Sequence, residues 1–371
     1  MSKKTRVLIV DDSLVFRSAV ASILAETKDC EVVGSVRNGV KALEFIKDNP
    51  PDIVTLDVEM PDMDGVETMR HINELNASGK LSQEVGVIML SSHTVKGAAI
   101  TIESLEAGAF DFVEKPSGSD MGANMEALRR QLLVKIRVYG VQRSKDKESF
   151  RLRSAGQGPV AAPALPPKIV ASKGAGTAVN VVLIGVSTGG PKALSLMLPE
   201  LLQRVKTPIL VVQHMPPKFT QSLAESLAKK CPCPVLEAVN GEIVSGSKVF
   251  IAPGGRHMIV KSGADGESRI SITDDPPENG CRPSVDILFK SANHVYGGNL
   301  VAAILTGMGN DGANSMVGLK TSGAHIIAQD EPTSVVWGMP GSAVATGAVD
   351  EVLSIEQIAP AIETVVKKRN G

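Results

Sequence analysis

Residues 181–191 have the sequence Val181-Val-Leu-Ile-Gly-Val-Ser187-Thr-Gly-Gly190-Pro191, and this stretch decides the fold of the second half of the chain. Its aliphatic run predicts a strand over Val181–Gly185, and Pro191 is typical of the first turn of a helix. A G-x-S-x-G pattern surrounds Ser187, and its small residues permit a strained turn that projects the serine hydroxyl above a sheet. The same turn is also compatible with a loop that binds a phosphate or a nucleotide at the N-terminus of the helix.

The rest of this half continues the alternation of strands and helices. A strand is predicted at Ile209–Gln213 and a helix around Phe219–Lys230, with a further strand at Lys248–Ile251. Two strand-like runs, at Met258–Lys261 and Arg269–Thr273, predict a β-hairpin insertion, after which the alternation resumes over Val285–Val295, Leu300–Leu305 and Ala313–Thr321. We therefore expect residues 179–371 to form a doubly wound, mostly parallel α/β domain with a β-hairpin insertion.

The first half repeats a strand–helix unit five times. β-branched runs predict strands at Arg6–Val10, Glu31–Val36, Ile53–Asp57, Gly86–Leu90 and Phe110–Glu114. Apolar residues at intervals of three and four predict helices near Leu14–Glu26, Gly39–Lys47, Gly65–Leu75, Lys96–Glu106 and Asp120–Val138. Residues 1–139 are therefore expected to form an N-terminal (βα)5 domain around a parallel sheet. Residues 140–178 are rich in Ser, Lys, Arg, Gly, Pro and Ala, which predicts a linker.

Composition and charge limit the classes of function. The length of 371 residues exceeds the size at which one core keeps growing, which also favours two domains. A net charge of -1, without a basic stripe, argues against a nucleic-acid partner.

No apolar stretch approaches the roughly 20 residues of a membrane span, and no signal sequence is recognisable. Four irregularly spaced cysteines predict ordinary thiols. We expect a monomeric cytoplasmic protein with no direct membrane insertion.

Polar side chains follow the strands of the first half. These polar residues are Asp11 and Asp12 after the first strand, Asp57 at the end of the third, Ser91 after the fourth and Lys115 after the fifth. Carboxyl ends of parallel strands lie at one edge of a sheet, and close carboxylates repel one another, so we expect Mg²⁺ at this edge. An aspartate beside a hard cation can accept a phosphoryl group, which predicts Asp57 as the phosphorylated residue. Alternatively, Asp11 and Asp12 only cap the following helix and Lys115 is a surface charge.

These residues resemble response-regulator receiver domains over roughly Thr5 to Val138. The similar stretches are Val-Leu-Ile-Val-Asp11-Asp12-Ser, Leu-Asp57-Val-Glu-Met-Pro61-Asp-Met-Asp-Gly65, Leu-Ser91-Ser and Ala-Gly-Ala-Phe-Asp-Phe-Val-Glu-Lys115-Pro116. The resemblance implies that a partner histidine kinase phosphorylates Asp57, with Mg²⁺ held by Asp11, Asp12 and Asp57. It also implies that Ser91, Phe112 and Lys115 relay the change, and that Pro116 matches a cis proline.

The serine of the second half requires a base, because a hydroxyl becomes nucleophilic when a histidine accepts its proton. His214 ends the strand Ile209–Gln213, which is predicted to lie beside the strand of Ser187, and His257 is the second candidate. Asp311 lies in a Gly/Asn/Asp turn after the strand Leu300–Leu305 and could orient His214. Such a turn is often purely structural, but its place beside Ser187 and His214 favours a catalytic triad.

This half resembles the catalytic domain of the chemotaxis protein-glutamate methylesterases. The similar stretches are Ile-Gly-Val-Ser187-Thr-Gly-Gly-Pro191, Gln-His214-Met-Pro-Pro, Ala-Pro-Gly-Gly-Arg-His257-Met, Asn-Gly-Cys-Arg282-Pro-Ser-Val-Asp286, Thr-Gly-Met308-Gly-Asn-Asp311-Gly and Gln329-Asp-Glu-Pro-Thr-Ser-Val-Val-Trp-Gly-Met-Pro340. The resemblance implies Ser187 as nucleophile, His214 as base and Asp311 as the orienting acid. It further implies the backbone N–H of Met308 as an oxyanion donor.

The two resemblances together imply a phosphorylation-controlled hydrolase of bacterial chemotaxis. It would remove methyl groups from glutamate methyl esters of methyl-accepting chemoreceptors, release methanol, and also deamidate receptor glutamines. A chemotaxis histidine kinase would be the phosphodonor, and ester hydrolysis itself would need no cofactor. Phosphorylation at Asp57 would relieve obstruction of the serine by the receiver. The alternatives are an output domain that only binds a partner, and a transcription factor, against which the missing basic recognition helix argues.

Overall fold

The computed structural model describes residues 4–92, 94–117, 120–154, 169 and 176–371. The chain divides into two compact units, of which the first ends at Ala161 and the second begins at Ala162. Within the described ranges, no helix combines the length and the apolar composition that crossing a bilayer requires.

The first unit is a five-stranded sheet in which each strand is followed by a helix. Its strands are β1 Thr5–Val10, β2 Cys30–Val36, β3 Ile53–Asp57, β4 Gly86–Ser91 and β5 Asp111–Glu114. Its helices are α1 Leu14–Ala25, α2 Gly39–Asp48, α3 Gly65–Ala77, α4 Val95–Glu106 and α5 Met121–Ser154. The strand order is β2-β1-β3-β4-β5 and every neighbouring pair is parallel. The predicted (βα)5 fold is confirmed.

Helix α5 extends into the predicted linker. Helix α5 continues through residues 140–154, where composition alone predicts irregular structure. Gly140 weakens a helix by only about 1 kcal/mol, and no proline follows it before Pro159. Helical hydrogen bonding can therefore continue past Val138. Residues 155–168 and 170–175 of the predicted linker, with its four prolines, lie outside the described part of the chain.

The second unit is built on a seven-stranded parallel sheet. Its strands are β6 Val181–Val186, β7 Ile209–Gln213, β8 Val235–Glu237, β9 Val249–Ile251, β12 Leu300–Ile304, β13 His325–Gln329 and β14 Glu351–Leu353. The order is β14-β13-β12-β6-β7-β9-β8, with parallel pairing throughout. The helices are α6 Gly190–Arg204, α7 Phe219–Ala228, α8 Val285–Tyr296, α9 Ala313–Ser322, α10 Met339–Ala345 and α11 Ile355–Asn370. The predicted doubly wound α/β architecture is confirmed.

The predicted hairpin insertion is also confirmed. β10 His257–Ser262 and β11 Ser268–Thr273 pair antiparallel and form a separate two-stranded sheet. Its inner face joins the core of the unit through Met258 and Ile270, which pack in one cluster with Phe250 and Phe289. This packing fixes the chain that leads from the hairpin into α8.

Both sheets have a topological switch point, where connections leave the sheet on opposite sides. In the first unit this point lies between β1 and β3, and in the second it lies between β6 and β12. The crevice outside the carboxyl ends of strands at such a point is where open α/β sheets bind their ligands. Asp11 and Asp57 lie at the first point and Ser187 lies at the second.

Candidate active site

The turn that carries Ser187 joins β6 to α6. The left-handed residue of this turn is Gly189, with φ +82°, and a Cβ there would lie 2.6 Å from the Cβ of Val335. The φ of Ser187 is not positive, so the left-handed conformation of the turn lies at the glycine and not at the serine. Glycine suits this conformation because it has no Cβ. Ser187 is half-buried at the N-terminal end of α6.

The backbone of Ser187 is held from three directions. Its N–H donates to the carbonyl of Thr306 at 3.0 Å, and its carbonyl accepts from Gly190 N at 2.8 Å and from Gln213 Nε2 at 2.9 Å. Gly307 approaches closely, since a Cβ at this position would lie 2.8 Å from the Cβ of Ser187. The position of the hydroxyl is therefore set by two loops and one buried amide.

His214 lies beside Ser187 because of the register of the sheet. β6 and β7 pair Val186 with Gln213, so the next residue of each strand reaches the same edge. The Nε2 of His214 lies 2.8 Å from Asp311 Oδ2, and its side chain is 14% exposed. Since the carboxylate accepts, Nε2 carries a proton, and in the neutral imidazole the lone pair is on Nδ1. Ser187 Oγ is not hydrogen-bonded to Nδ1, which faces Cys281 Sγ at 3.8 Å.

The second histidine candidate has a different place. His257 is completely buried, its Nδ1 accepts from Ser284 N at 3.2 Å, and its Nε2 lies 3.1 Å from the carbonyl of Pro276. Both ring nitrogens are engaged with backbone, so His257 orders the chain before α8 and is not available as a base.

Asp311 is surrounded by donors at the N-terminus of α8. Besides His214, its carboxylate accepts hydrogen bonds from Val285 N at 2.7 Å, Ser284 Oγ at 2.8 Å, Asp286 N at 3.2 Å and Asn279 Nδ2 at 3.3 Å. Helix N-termini favour negative charge. This carboxylate is thus held in one orientation and in its charged form.

The pKa values of the pair move in opposite directions. Burial alone would raise the pKa of Asp311, but the bonds and charge of His214 and the bonds from Val285 and Ser284 outweigh it and lower this pKa to about 2. Burial alone would lower the pKa of His214, but hydrogen bonds with Asp311 and Cys281 raise it to about 9. His214 is consequently a stronger base than free imidazole.

Met308 lies in the loop after β12 with 37% of its surface exposed. Within the described part of the chain, no protein atom accepts its backbone N–H. The neighbouring Gly307 N–H is already donated to the carbonyl of Val336 at 2.9 Å. The N–H of Met308 is therefore one of the donors in this loop that an oxyanion could use.

The acidic edge of the first unit brings its predicted residues together. Lys115 Nζ lies 2.6 Å from Asp11 Oδ2 and 2.8 Å from Asp57 Oδ1. One oxygen each of Asp11, Asp12 and Asp57 lies within 4.8 Å of the others. The other oxygen of Asp11 accepts from Ser13 N at 2.9 Å, but Ser13 itself is the N-cap of α1 and its hydroxyl accepts from Phe16 N, so the helix-capping alternative does not hold. Three carboxylates against one ammonium fit a hard divalent cation.

Burial raises the pKa of Asp57 to about 6, although the Lys115 hydrogen bond and charge oppose this, and the charge of Asp11 raises it further. Hydrogen bonds to Asp11 and Asp57 raise the pKa of Lys115 against the effect of burial. Without a bound cation, the negative charge of the Asp57 carboxylate is therefore only partly balanced by its neighbours.

The predicted switch residues are buried on the neighbouring strands. Ser91 Oγ accepts from Thr101 Oγ1 at 2.7 Å and lies 3.3 Å from the carbonyl of Gly97, so it faces α4. The Phe112 ring is 6% exposed, with Lys135 Nζ 5.2 Å from its centroid. The Lys115–Pro116 bond is not cis; among the described residues the cis peptide joins Arg282 to Pro283.

Sequence reasoning did not assign several residues that build the second site. Gln213, Asn279 and Ser284 position the backbone of Ser187 or the carboxylate of Asp311. Two of the similar stretches, Gln-His214-Met-Pro-Pro and Asn279–Asp286, contain these residues but give them no role. The roles of Asn279 and Ser284 became visible because the fold brings the start of α8 against the loop after β12.

Comparisons with known proteins agree with this architecture. The family model for the CheB methylesterase matches residues 182–362, and that for the response regulator receiver domain matches residues 7–125. A protein-glutamate methylesterase/protein-glutamine glutaminase of Desulfotalea psychrophila is 41% identical, over 98% of this chain and 99% of its own length. One of Bacillus subtilis is 40% identical over 98% of this chain and 99% of its own. The chain therefore belongs to the CheB family of protein-glutamate methylesterases/protein-glutamine glutaminases that carry a receiver domain.

Proposed function

We propose that this protein is a serine hydrolase that removes methyl groups from glutamate methyl esters of methyl-accepting chemoreceptors and adjusts bacterial chemotaxis. The observation that carries the proposal is the 2.8 Å His214–Asp311 pair at the sheet edge beside the Ser187 turn. The names of relatives that are about 40% identical over nearly the whole chain support the substrate. We further propose that it acts in the cytoplasm as a monomer.

The proposed reaction uses Ser187, His214 and Asp311 in sequence. Ser187 Oγ attacks the ester carbonyl while its proton passes to Nδ1 of His214, and Asp311 stabilises the imidazolium through Nε2–H. The N–H of Met308 donates to the oxyanion. Collapse breaks the C–O bond, and His214 returns the proton to the leaving methoxide. Water then attacks the acyl-enzyme while His214 takes its proton, and His214 returns this proton to Ser187 Oγ as the acyl bond breaks and the glutamate side chain is released.

The same residues accommodate an amide substrate. Glutamine would form the same acyl-enzyme after His214 protonates the leaving nitrogen, and ammonia would replace methanol as the first product. The double name of the relatives supports this second activity.

Ser187→Ala tests the hydrolase. We expect methanol release from methylated receptor membranes to fall by about 10⁴-fold or more, because the acyl-enzyme forms on the hydroxyl that this variant lacks. Ser195→Ala, on α6, is the matched control and should retain activity. Unchanged methanol release by Ser187→Ala would reject the hydrolase in favour of an output domain that only binds a partner.

We also propose that Asp57 is the phosphorylated residue and that a chemotaxis histidine kinase is the donor. Asp11, Asp12 and Asp57 would hold Mg²⁺, which neutralises charge on the transferring phosphoryl oxygens. Lys115 would hold the new phosphate, Ser91 would rotate from α4 toward it, and Phe112 would follow. Hydrolysis should accelerate with acetyl phosphate and Mg²⁺, and Asp57→Asn should remove the acceleration but retain basal activity. An equal response of Asp57→Asn would place the switch elsewhere.

A further inference from the structure

We propose that Cys281 and His214 form a binding site for a thiophilic divalent cation of the Zn²⁺ class, and that the bound ion inhibits the hydrolase. The inhibitory consequence rests on the proposed function, whereas the binding site rests on geometry alone. One ligand atom each of His214, Cys281 and Asp311 lies within 4.8 Å of the others.

The distance between the two ligand atoms suits a tetrahedral ion. Cys281 Sγ lies 3.8 Å from His214 Nδ1. Zinc–sulfur and zinc–nitrogen bonds of about 2.3 and 2.0 Å at a tetrahedral angle require a separation of about 3.5 Å. A shift of a few tenths of an ångström in the half-buried Cys281 side chain would complete the chelate.

The outer groups of the site already have the arrangement that a zinc-bound imidazole requires. A metal-ligating histidine normally donates its other N–H to a carboxylate, which fixes the ring and makes the ligand more basic. Here Asp311 accepts from Nε2 at 2.8 Å and is itself held by Ser284 Oγ at 2.8 Å. Asp311 would thus support the ion through His214 without having to bind it directly.

Charge and access also favour a cation at this place. Asp286 is fully buried, and Asn279 links it to Asp311 through contacts of 2.9 and 3.3 Å. These two carboxylates add negative charge behind His214, while the Arg282 side chain turns to the carbonyls of Asp274 and Asp275. His214 and Cys281 are both partly open to solvent, so an ion can enter.

A metal ion at this site would inhibit the hydrolase because it would bind Nδ1 of His214. Nδ1 is the atom that would accept the proton of Ser187, because Nε2 donates to Asp311. A metal ion on that lone pair removes the base. The hard cation of the receiver would not compete, since Mg²⁺ prefers oxygen ligands and avoids thiolates.

Binding is tested with Co²⁺ as a spectroscopic probe on the untagged full-length protein, freed of metal and kept reduced. We expect a thiolate-to-cobalt charge-transfer absorption that Zn²⁺ abolishes by displacement. It should disappear in Cys281→Ala and persist in Cys231→Ser/Cys233→Ser, which removes the two other thiols of this unit. Absorption that persists in Cys281→Ala, or that depends on Cys231 and Cys233, overturns the site. A thermal melt that matches the parent protein confirms that Cys281→Ala is folded.

Inhibition is tested with an activated ester in the presence of Mg²⁺, each variant being compared with its own metal-free rate. We expect Zn²⁺ to inhibit the parent and the Cys231→Ser/Cys233→Ser variant alike, and a chelator to restore the rate. Cys281→Ala should need at least about 10-fold more Zn²⁺ for the same inhibition. Equal sensitivity of Cys281→Ala, or loss of activity when Zn²⁺ is removed, would overturn the inhibitory role. Neither result depends on which ester is the natural substrate.

Discussion

The receiver pocket and the serine site occupy equivalent places in two parallel sheets, yet they treat their buried carboxylates in opposite ways. Asp57 shares one ammonium with Asp11, and burial raises its pKa to about 6. Asp311 is almost equally buried, but its donors lower its pKa to about 2. The number of donors, and not the degree of burial, separates the two.

This difference corresponds to two kinds of chemistry. A triad carboxylate has to remain charged and oriented through the whole reaction, so its partners are preformed. A phosphate acceptor instead needs a site whose charge is balanced only when a cation and a phosphoryl group arrive. The receiver pocket is therefore suited to a switch, and the serine site to repeated turnover.

Among the substitutions that test this difference between the two sites, Asp311→Asn should have the largest effect, a loss of kcat. An amide has one acceptor oxygen where the carboxylate has two, and Ser284 Oγ and Asp286 N already donate to the other position. The amide NH₂ would then face His214 and favour the tautomer in which Nδ1 carries the proton and cannot accept one from the serine. We expect kcat to fall by about 10⁴-fold with the fold retained. Asp274→Asn, an exposed carboxylate paired with Arg256, is the control and should change kcat little. A loss smaller than about 10-fold would remove Asp311 from the triad.

Gly307→Ala should have an intermediate effect. The new methyl group would lie 2.8 Å from Ser187 Cβ and 2.5 Å from Met339 Sδ, so the serine or its loop must move. A displacement of about 1 Å can cost about 10²-fold in kcat/KM, which steady-state kinetics would measure. Gly318→Ala, inside α9 and 3.5 Å from Asn293 Nδ2, is the matched control and should be neutral or stabilising. Normal kinetics in Gly307→Ala would show that the serine loop is not tightly packed.

Asp57→Asn should have the smallest effect and the opposite sign, because it stabilises the protein. The pKa in the folded state, about 6, exceeds the ordinary 3.8, so the folded receiver binds the proton more tightly and loses stability as pH rises through this window. At pH 7 without Mg²⁺ we expect a gain of about 1–3 kcal/mol in the free energy of unfolding, which disappears below about pH 4. Calorimetry would measure it.

The exposed Asp48→Asn substitution serves as the control for that experiment, with an expected change within about 0.5 kcal/mol. Added Mg²⁺ should stabilise the parent receiver and narrow its difference from Asp57→Asn, because the cation compensates the carboxylate. If Asp57→Asn instead lowers the free energy of unfolding at pH 7, the Lys115 ammonium already balances the charge of Asp57 in the parent protein.

Most of the architecture follows from local patterns in the chain. The ten elements of the first unit and the strands that precede Ser187 and His214 have regular apolar periodicity, and their observed bounds lie within a few residues of the predicted ones except at the end of α5. The strands β8 and β14 were not predicted, whereas β9, which also has three residues, was predicted because all three of its side chains are apolar and buried. The extension of α5 was missed because Ser, Lys and Arg are compatible with both a linker and a helix.

The sequence by itself determined which side chains reach the two sheet edges, because strand ends and glycine turns are local features. It could not show which nitrogen of His214 faces Asp311, nor that the ring nitrogens of His257 are hydrogen-bonded to backbone atoms. It also could not show that Cys281 lies beside His214. Those facts depend on how the start of α8 packs against the loop after β12, in contacts between residues about 30 to 100 positions apart. Side-chain geometry at that range is set by the packing of the whole domain, which no local pattern encodes.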